Sequence, residues 1–201
     1  MKLTTAFYTQ DTITVAQNLL GCLLVSEVGG AAWRTSGIIV ETEAYAGEKD
    51  PGSHAYRGKT GRNQVMYGEP GRAYVYFIYG KYYLLNVVTE KSGTPGAVLI
   101  RALEPVDGIE IMKKRRASDI VQELTTGPAK MTQALGITGE HNGVDVTGDV
   151  IWIEQYKTPS QIQTSPRIGV SDEQPLRFFI NGNRYVSKGV KKVKESEEKK
   201  I

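Results

Sequence analysis

With a single cysteine and two histidines among 201 residues, the chain lacks the side chains that several classes of chemistry require. One cysteine excludes an internal disulfide, a cysteine-based zinc framework and the cysteine-ligated zinc site of nucleobase deaminases. Cys22 lies in the apolar run Leu19-Leu20-Gly21-Cys22-Leu23-Leu24-Val25 and reads as a small buried hydrophobe. The two histidines show neither Ser-His-Asp order nor His-x-x-x-His spacing, so a triad or a zinc helix has no support. A Gly-rich phosphate loop of the nucleotide-binding type is also missing. No apolar run is long enough to span a bilayer, and the first residues lack a basic-then-apolar signal pattern. The expectation is a cytoplasmic protein. With no Pro/Ser-rich linker, the length suits one domain over residues 1–187 whose core needs no staples.

Excess charge is scarce too. The formal net charge is +3, and the segment 188–201, with six lysines against three glutamates, accounts for all of it. That segment reads as a charged, flexible tail. The body is neutral overall, so global basicity does not point to nucleic acid. Local asymmetry does: between Pro51 and Thr89, Arg57, Lys59, Arg62, Arg72 and Lys81 are opposed by Glu69 alone. A local basic patch is the footprint that matters for a phosphate backbone. The run Lys113-Lys114-Arg115-Arg116, taken alone, reads as a solvated helix face.

Tyrosine, by contrast, is concentrated. Five of the chain's 11 tyrosines lie between Tyr74 and Tyr83, where alternating β-formers run up to Gly80-Lys81 and away again. This pattern reads as a β-hairpin with its turn near Gly80. Aromatics presented on a hairpin can stack on nucleobases, although core packing is the competing use of the same rings. Tyr79 is the exception, because little core exists beside a turn to receive it.

Elsewhere, Val15, Ala16, Leu19 and Leu20 recur at helical spacing, with Asp11 or Thr12 as N-cap and a stop near Gly21. Strands are expected at 23–28, 35–45, 97–103, 150–153 and 176–180. Residues 47–71 read as a long irregular loop, and 107–135 as helical with a break at Gly127-Pro128. These elements predict an α+β domain, a largely antiparallel mixed sheet with peripheral helices and a protruding hairpin. On the strand Ile38-Ile39-Val40-Glu41-Thr42-Glu43-Ala44-Tyr45, a period of two puts Ile39, Glu41 and Glu43 on one face. Two such carboxylates need a cation nearby. By themselves they suit structural ion pairing better than catalysis. A carbohydrate hydrolase using the pair is disfavoured, since neighbours on one strand face cannot flank a sugar ring. His54 stands among turn formers in the long loop, and His141 reads as a surface turn residue.

Taken in order, several motifs resemble the methylpurine-DNA glycosylase family. They are Val40-Glu41-Thr42-Glu43-Ala44-Tyr45, Ser53-His54-Ala55-Tyr56-Arg57-Gly58, Arg62-Asn63, Tyr74-Val75-Tyr76, Ile78-Tyr79-Gly80 and Asn86. Leu99 to Pro105, Gly127-Pro128-Ala129-Lys130, Arg167-Ile168-Gly169-Val170 and Pro175-Leu176-Arg177-Phe178 continue the match. The resemblance implies a base-excision-repair enzyme that flips alkylated purines out of double-stranded DNA and hydrolyses the N-glycosidic bond. It implies Glu43 as general base, Arg101 as its partner and Glu41 in a structural ion pair. Tyr45 and Tyr76 would sandwich the flipped base, with His54 closing the pocket and Asn86 on its floor. Tyr79 would be the minor-groove wedge, and Arg57, Arg62, Lys81 and Lys130 would face the DNA backbone. Tyr74, Tyr82 and Tyr83 are left as packing residues. A monomer without cofactor, metal, membrane contact or strand-cleaving lysine is expected. Lys81 departs from the apolar residue that larger members carry after Gly80. The alternative reading is a non-catalytic DNA-binding module with the same aromatic hairpin.

Overall fold

The computed structural model describes residues 1–187; the expected charged tail lies outside the described residues. The chain opens with two short helices, α1 (Thr5–Tyr8) and α2 (Thr12–Asn18). Asp11 caps α2, its carboxylate accepting from the Thr14 N–H at 3.0 Å. The helix ends at Asn18, before the expected stop near Gly21, where φ is +85° and an added Cβ would lie 2.3 Å from the Lys157 carbonyl oxygen.

Eight strands follow the helices in a single sheet. They are β1 (Leu23–Ser26), β2 (Thr35–Tyr45), β3 (Ala73–Ile78), β4 (Tyr82–Val88), β5 (Ala97–Asp107), β6 (Ile151–Glu154), β7 (Ile162–Ser165) and β8 (Arg177–Ile180). The spatial order is β3-β4-β5-β2-β1-β6, β8 pairs with β2 and β7, and the pairing is antiparallel throughout. Two helices, α3 (Ile109–Arg116) and α4 (Pro128–Leu135), lie between β5 and β6 in sequence, and Pro128 starts α4 where a missing N–H costs nothing. One sheet face carries the main core, with Val15, Leu19, Ile39, Ile100, Met131 and Leu135 fully buried together. The other face carries a smaller cluster around Val25, Ile38, Val40 and Trp152.

Some sequence expectations need correction. The strand expected at 23–28 stops at Ser26, and β5 continues beyond Leu103 to Asp107. Pro105 fits within β5 because it pairs with Gly37 at a register irregularity, where a residue without an N–H is tolerated. α1 and β7 were not foreseen; β7 is mostly exposed and has no hydrophobic alternation to reveal it. The segment 47–71 is irregular but ordered. Buried Asn63 braces it, donating from Nδ2 to the His54 and Gly58 carbonyls at 2.8 and 2.9 Å.

The alternation assumed for β2 also fails at one point. Against β5, the register shifts on either side of Glu41, so Ile39 pairs with Leu103, Glu41 with Ala102 and Thr42 with Ile100. Ile39 and Ala44 join the main core, and Thr42 donates to the Ala16 carbonyl on the same side. Val40 joins the opposite cluster, on the side where Glu41 and Glu43 meet Arg101. A bulge at Val40-Glu41 thus separates Ile39 from the two glutamates and aims both carboxylates away from the main core.

Candidate active site

The hairpin β3–β4 keeps a strict period of two. Tyr74, Tyr76 and Ile78 on one strand and Tyr82, Leu84 and Asn86 on the other line an open cavity of about 520 Å³. Val75, Leu85 and Val87 face the core, joined there by Tyr83. Of the three tyrosines expected to pack, only Tyr83 stays out of this cavity. Tyr74 is buried but lines the cavity, and Tyr82 lines it while remaining exposed. Parity decides this: Tyr74 and Tyr82 share the face of Tyr76.

Tyr45, from the end of β2, and His54, from the loop, complete the aromatic lining, with Arg101 of β5 beside them. His54 meets Tyr76 edge-on, with ring centroids 4.6 Å apart and planes at 71°, and its Nδ1 shares a 2.8 Å hydrogen bond with the Tyr74 hydroxyl. Asn86 is buried and donates to the Tyr74 carbonyl at 3.1 Å, which leaves its side-chain oxygen free of that bond. Partial burial against Tyr74 and Tyr76 and, secondarily, the Arg62 cation lower the pKa of His54 below the ordinary 6.5, while part of the residue stays exposed. Burial likewise pushes the Tyr76 hydroxyl up to about 12.

A lowered imidazole pKa binds more protons unfolded than folded, so stability should decline as pH falls below 6.5. Asp50 is also held below its ordinary 3.8, because hydrogen bonds and charge from Arg167 outweigh the effect of its burial, and its contribution should be lost only at lower pH. Urea denaturation across pH 2–8 should therefore show two windows, that of His54 below pH 6.5 and that of Asp50 below pH 3.8. In His54→Asn the upper one should vanish; an unchanged slope between pH 5 and 6.5 would contradict the assignment.

The carboxylates differ sharply in their surroundings. Glu41 is fully buried and accepts four hydrogen bonds: Arg101 Nε at 2.8 Å, Arg177 Nε at 2.7 Å, Ser187 N at 2.6 Å and Ser187 Oγ at 2.8 Å. Glu43, also fully buried, accepts from the Ile168 N–H at 2.7 Å on Oε1 and from the Tyr45 hydroxyl at 2.9 Å on Oε2. Arg101 Nη1 stands 3.2 Å from the same Oε2. The three residues that hold Glu43, namely Tyr45, Arg101 and Ile168, all line the cavity.

At the tip, Tyr79 is 86 % exposed and, with Gly80, has positive φ (54° and 62°). The Lys81 N–H donates to the Ile78 carbonyl at 3.2 Å, closing the turn. A tyrosine in the left-handed region costs about 1–2 kcal/mol, and this strained, exposed residue is also among those that line the cavity.

A family model described as methylpurine-DNA glycosylase matches residues 6–184, nearly the whole of the described chain. The chain belongs to the methylpurine-DNA glycosylase family. Among its relatives, a protein of Chlorobaculum tepidum is 49% identical, covering 90% of this chain and 88% of the relative. One from Clostridium acetobutylicum is 46% identical over 93% of this chain and 98% of its own length, and one from Carboxydothermus hydrogenoformans is 49% identical over 94% and 100%. All three are provisionally named 3-methyladenine DNA glycosylases.

In this methylpurine-DNA glycosylase the expected pocket residues Tyr45, His54, Tyr76 and Asn86 meet at one cavity with Arg101 and Lys130. Lys130 Nζ lies 3.8 Å from Glu123, and Arg62 lies over the Tyr76 ring at 5.3 Å. Arg57 and Lys81 are exposed in the loop and at the hairpin tip. Sequence reasoning passed over four contributors: the Ile168 N–H, Arg167, Arg177 and Ser187. Ile168 acts through its backbone, which no residue type announces, and the partners of Arg177 and Ser187 are far away in sequence. His141 is more than a surface turn residue, since it forms a capping box with Thr138. Among the described residues, no group of three or more His, Cys, Asp or Glu is placed to hold a metal ion, and no helix is long and apolar enough to cross a membrane.

Proposed function

We propose that the protein draws alkylated purines such as 3-methyladenine out of duplex DNA into the aromatic cavity and hydrolyses their N-glycosidic bond with a water held by Glu43. The observation that carries this is the remaining acceptor capacity of Glu43. A carboxylate offers about four lone-pair sites. Glu41 has four donors, three on Oε1 and one on Oε2; Glu43 has the Ile168 N–H on Oε1 and the Tyr45 hydroxyl and Arg101 on Oε2, all three from residues that line the cavity. One site on Glu43 Oε1 is left for a water that can give up its proton while attacking C1′ of the flipped nucleotide. The carboxylate then also faces the oxocarbenium charge as it develops.

The cavity favours an alkylated purine for an electrostatic reason. Such a base carries positive charge, and the tyrosine faces attract it by cation–π interaction. The lowered pKa of His54 disfavours a further positive charge beside the base. Asn86 on the floor, held in place by its bond to the Tyr74 carbonyl, disfavours the exocyclic amine of normal guanine by occupying the space that amine would need. A water, and not a lysine, makes the attack, so the strand of the double-stranded DNA stays intact.

The test is incubation with methylated duplex DNA, followed by chromatography of the released base and electrophoresis of the strand before and after alkali. Free 3-methyladenine with an alkali-labile but otherwise intact strand is the expected result. Absence of free base would refute the reading.

Tyr79 has its part in the opening of the duplex. Unstacking costs a few kcal/mol per step, and an inserted ring offsets part of it. Tyr79→Ser should therefore slow excision from duplex about tenfold more than from a single strand. Equal losses on the two substrates would remove the wedge from the mechanism.

A further inference from the structure

The side chain of Arg167 is 0 % exposed, and its guanidinium ties three segments together. Nη1 donates to the Ala44 carbonyl at 2.8 Å and to Asp50 Oδ2 at 2.6 Å. Nη2 donates to Asp50 Oδ1 at 2.7 Å and to Asp172 Oδ2 at 2.5 Å. Asp50 in turn accepts from the Ala46 N–H at 3.0 Å and the Gly52 N–H at 2.9 Å, so the loop after β2 is fastened at both ends. Gly52 leaves room for this: a Cβ there would lie 2.6 Å from Nη2.

Both neighbours of the glutamate base are held by this clamp. The guanidinium carbon stands 4.6 Å from the Tyr45 ring centroid, against the wall whose hydroxyl donates to Glu43. The residue directly after Arg167 supplies the N–H on Glu43 Oε1. Ala44, whose carbonyl Arg167 grips, directly follows Glu43 in the chain.

We propose that Arg167 is a positioning residue for base excision: by fixing Ala44, Asp50 and Asp172 together it sets the Ile168 N–H on Glu43 and the Tyr45 ring at the cavity wall. This rests on the reading of Glu43 as the residue that holds the attacking water. Arg167 touches neither water nor base; it acts through Ile168 and Tyr45. A lysine could not replace it, because a single ammonium cannot bridge Ala44, both oxygens of Asp50 and Asp172 at once.

The experiment compares wild type with Arg167→Met, Arg167→Lys and the milder Asp172→Asn. Amide hydrogen exchange is measured without DNA, and single-turnover base release separately from duplex affinity. In Arg167→Met the Ile168 amide should exchange about tenfold faster while the Ile39 amide of β2 is unchanged. Base release should fall about 10²-fold at unchanged duplex affinity, with Arg167→Lys in between. Unchanged exchange at Ile168 would overturn the proposal, as would equal acceleration at Ile39 or a rate loss matched by lost affinity. Should Arg167→Met fail to fold, Asp172→Asn decides: faster Ile168 exchange supports the positioning role, and no change overturns it. If the wild type released no base, the reading of the function would fall, and the exchange measurement would still decide whether Arg167 sets the Ile168 N–H.

Discussion

Glu43→Gln should leave the protein folded and able to bind a lesion-bearing duplex, and slow base release by about 10²–10⁴-fold, the usual scale of a general base. The amide that replaces the carboxylate has nearly the same shape. Its oxygen can still accept the Ile168 N–H, and its NH₂ can donate to the Tyr45 hydroxyl, reversing the present bond. It cannot take a proton from water, and it no longer offers charge to Arg101, 3.2 Å away. Single-turnover release of 3-methyladenine, with affinity measured on the same duplex, separates loss of chemistry from loss of binding. Release within about twofold of wild type would show that another group activates the water. Tight binding without release by the wild type itself would favour a non-catalytic DNA-binding module.

Much of the fold was open to sequence reasoning where the pattern is local. α2 was legible because four apolar residues repeat at helical spacing behind a capping aspartate, and β3–β4 because alternation flanks a glycine turn. The same alternation, carried through, assigns Tyr74 and Tyr82 to the cavity face with Tyr76. The bulge at Val40-Glu41 was not legible, since it is a property of the pairing with β5 and leaves no mark on β2 alone. β7 was missed because its hydrogen bonds to β8 need no buried side chains. For the site, Glu43, Arg101 and the aromatic box came from ordered motifs. The resemblance did not reveal how Glu41 and Glu43 divide the available donors, because Ser187 and Ile168 reach them from 146 and 125 residues away.

That division predicts the opposite outcome for the neighbouring glutamate. Glu41→Ala should destabilise the protein by about 3–5 kcal/mol, the cost of removing one partner from a buried ion pair. The side chains of Arg101 and Arg177 are only 8% and 10% exposed, and each donates an Nε–H to Glu41 Oε1. Both Nε–H groups, and the N–H and hydroxyl of Ser187, would lose their acceptor while largely buried. Arg101 would keep Glu43, but Arg177 would keep only its bonds to Ser165 Oγ and the Ser187 carbonyl, neither of them charged. For a domain of this size the loss corresponds to a fall in Tm of about 10 °C. Thermal unfolding should show it, while Glu43→Gln shifts Tm far less, because it keeps the side chain's shape and most of its bonds. Glu41→Gln should fall between the two, retaining an oxygen for the arginines but placing an NH₂ against the Ser187 N–H, which is itself a donor. A Glu41→Ala protein with Tm within about 2 °C of wild type would mean that the four donors find other acceptors. The contrast between a carboxylate with four donors and one held by cavity residues with an open acceptor site would then no longer distinguish the structural glutamate from the one that holds water.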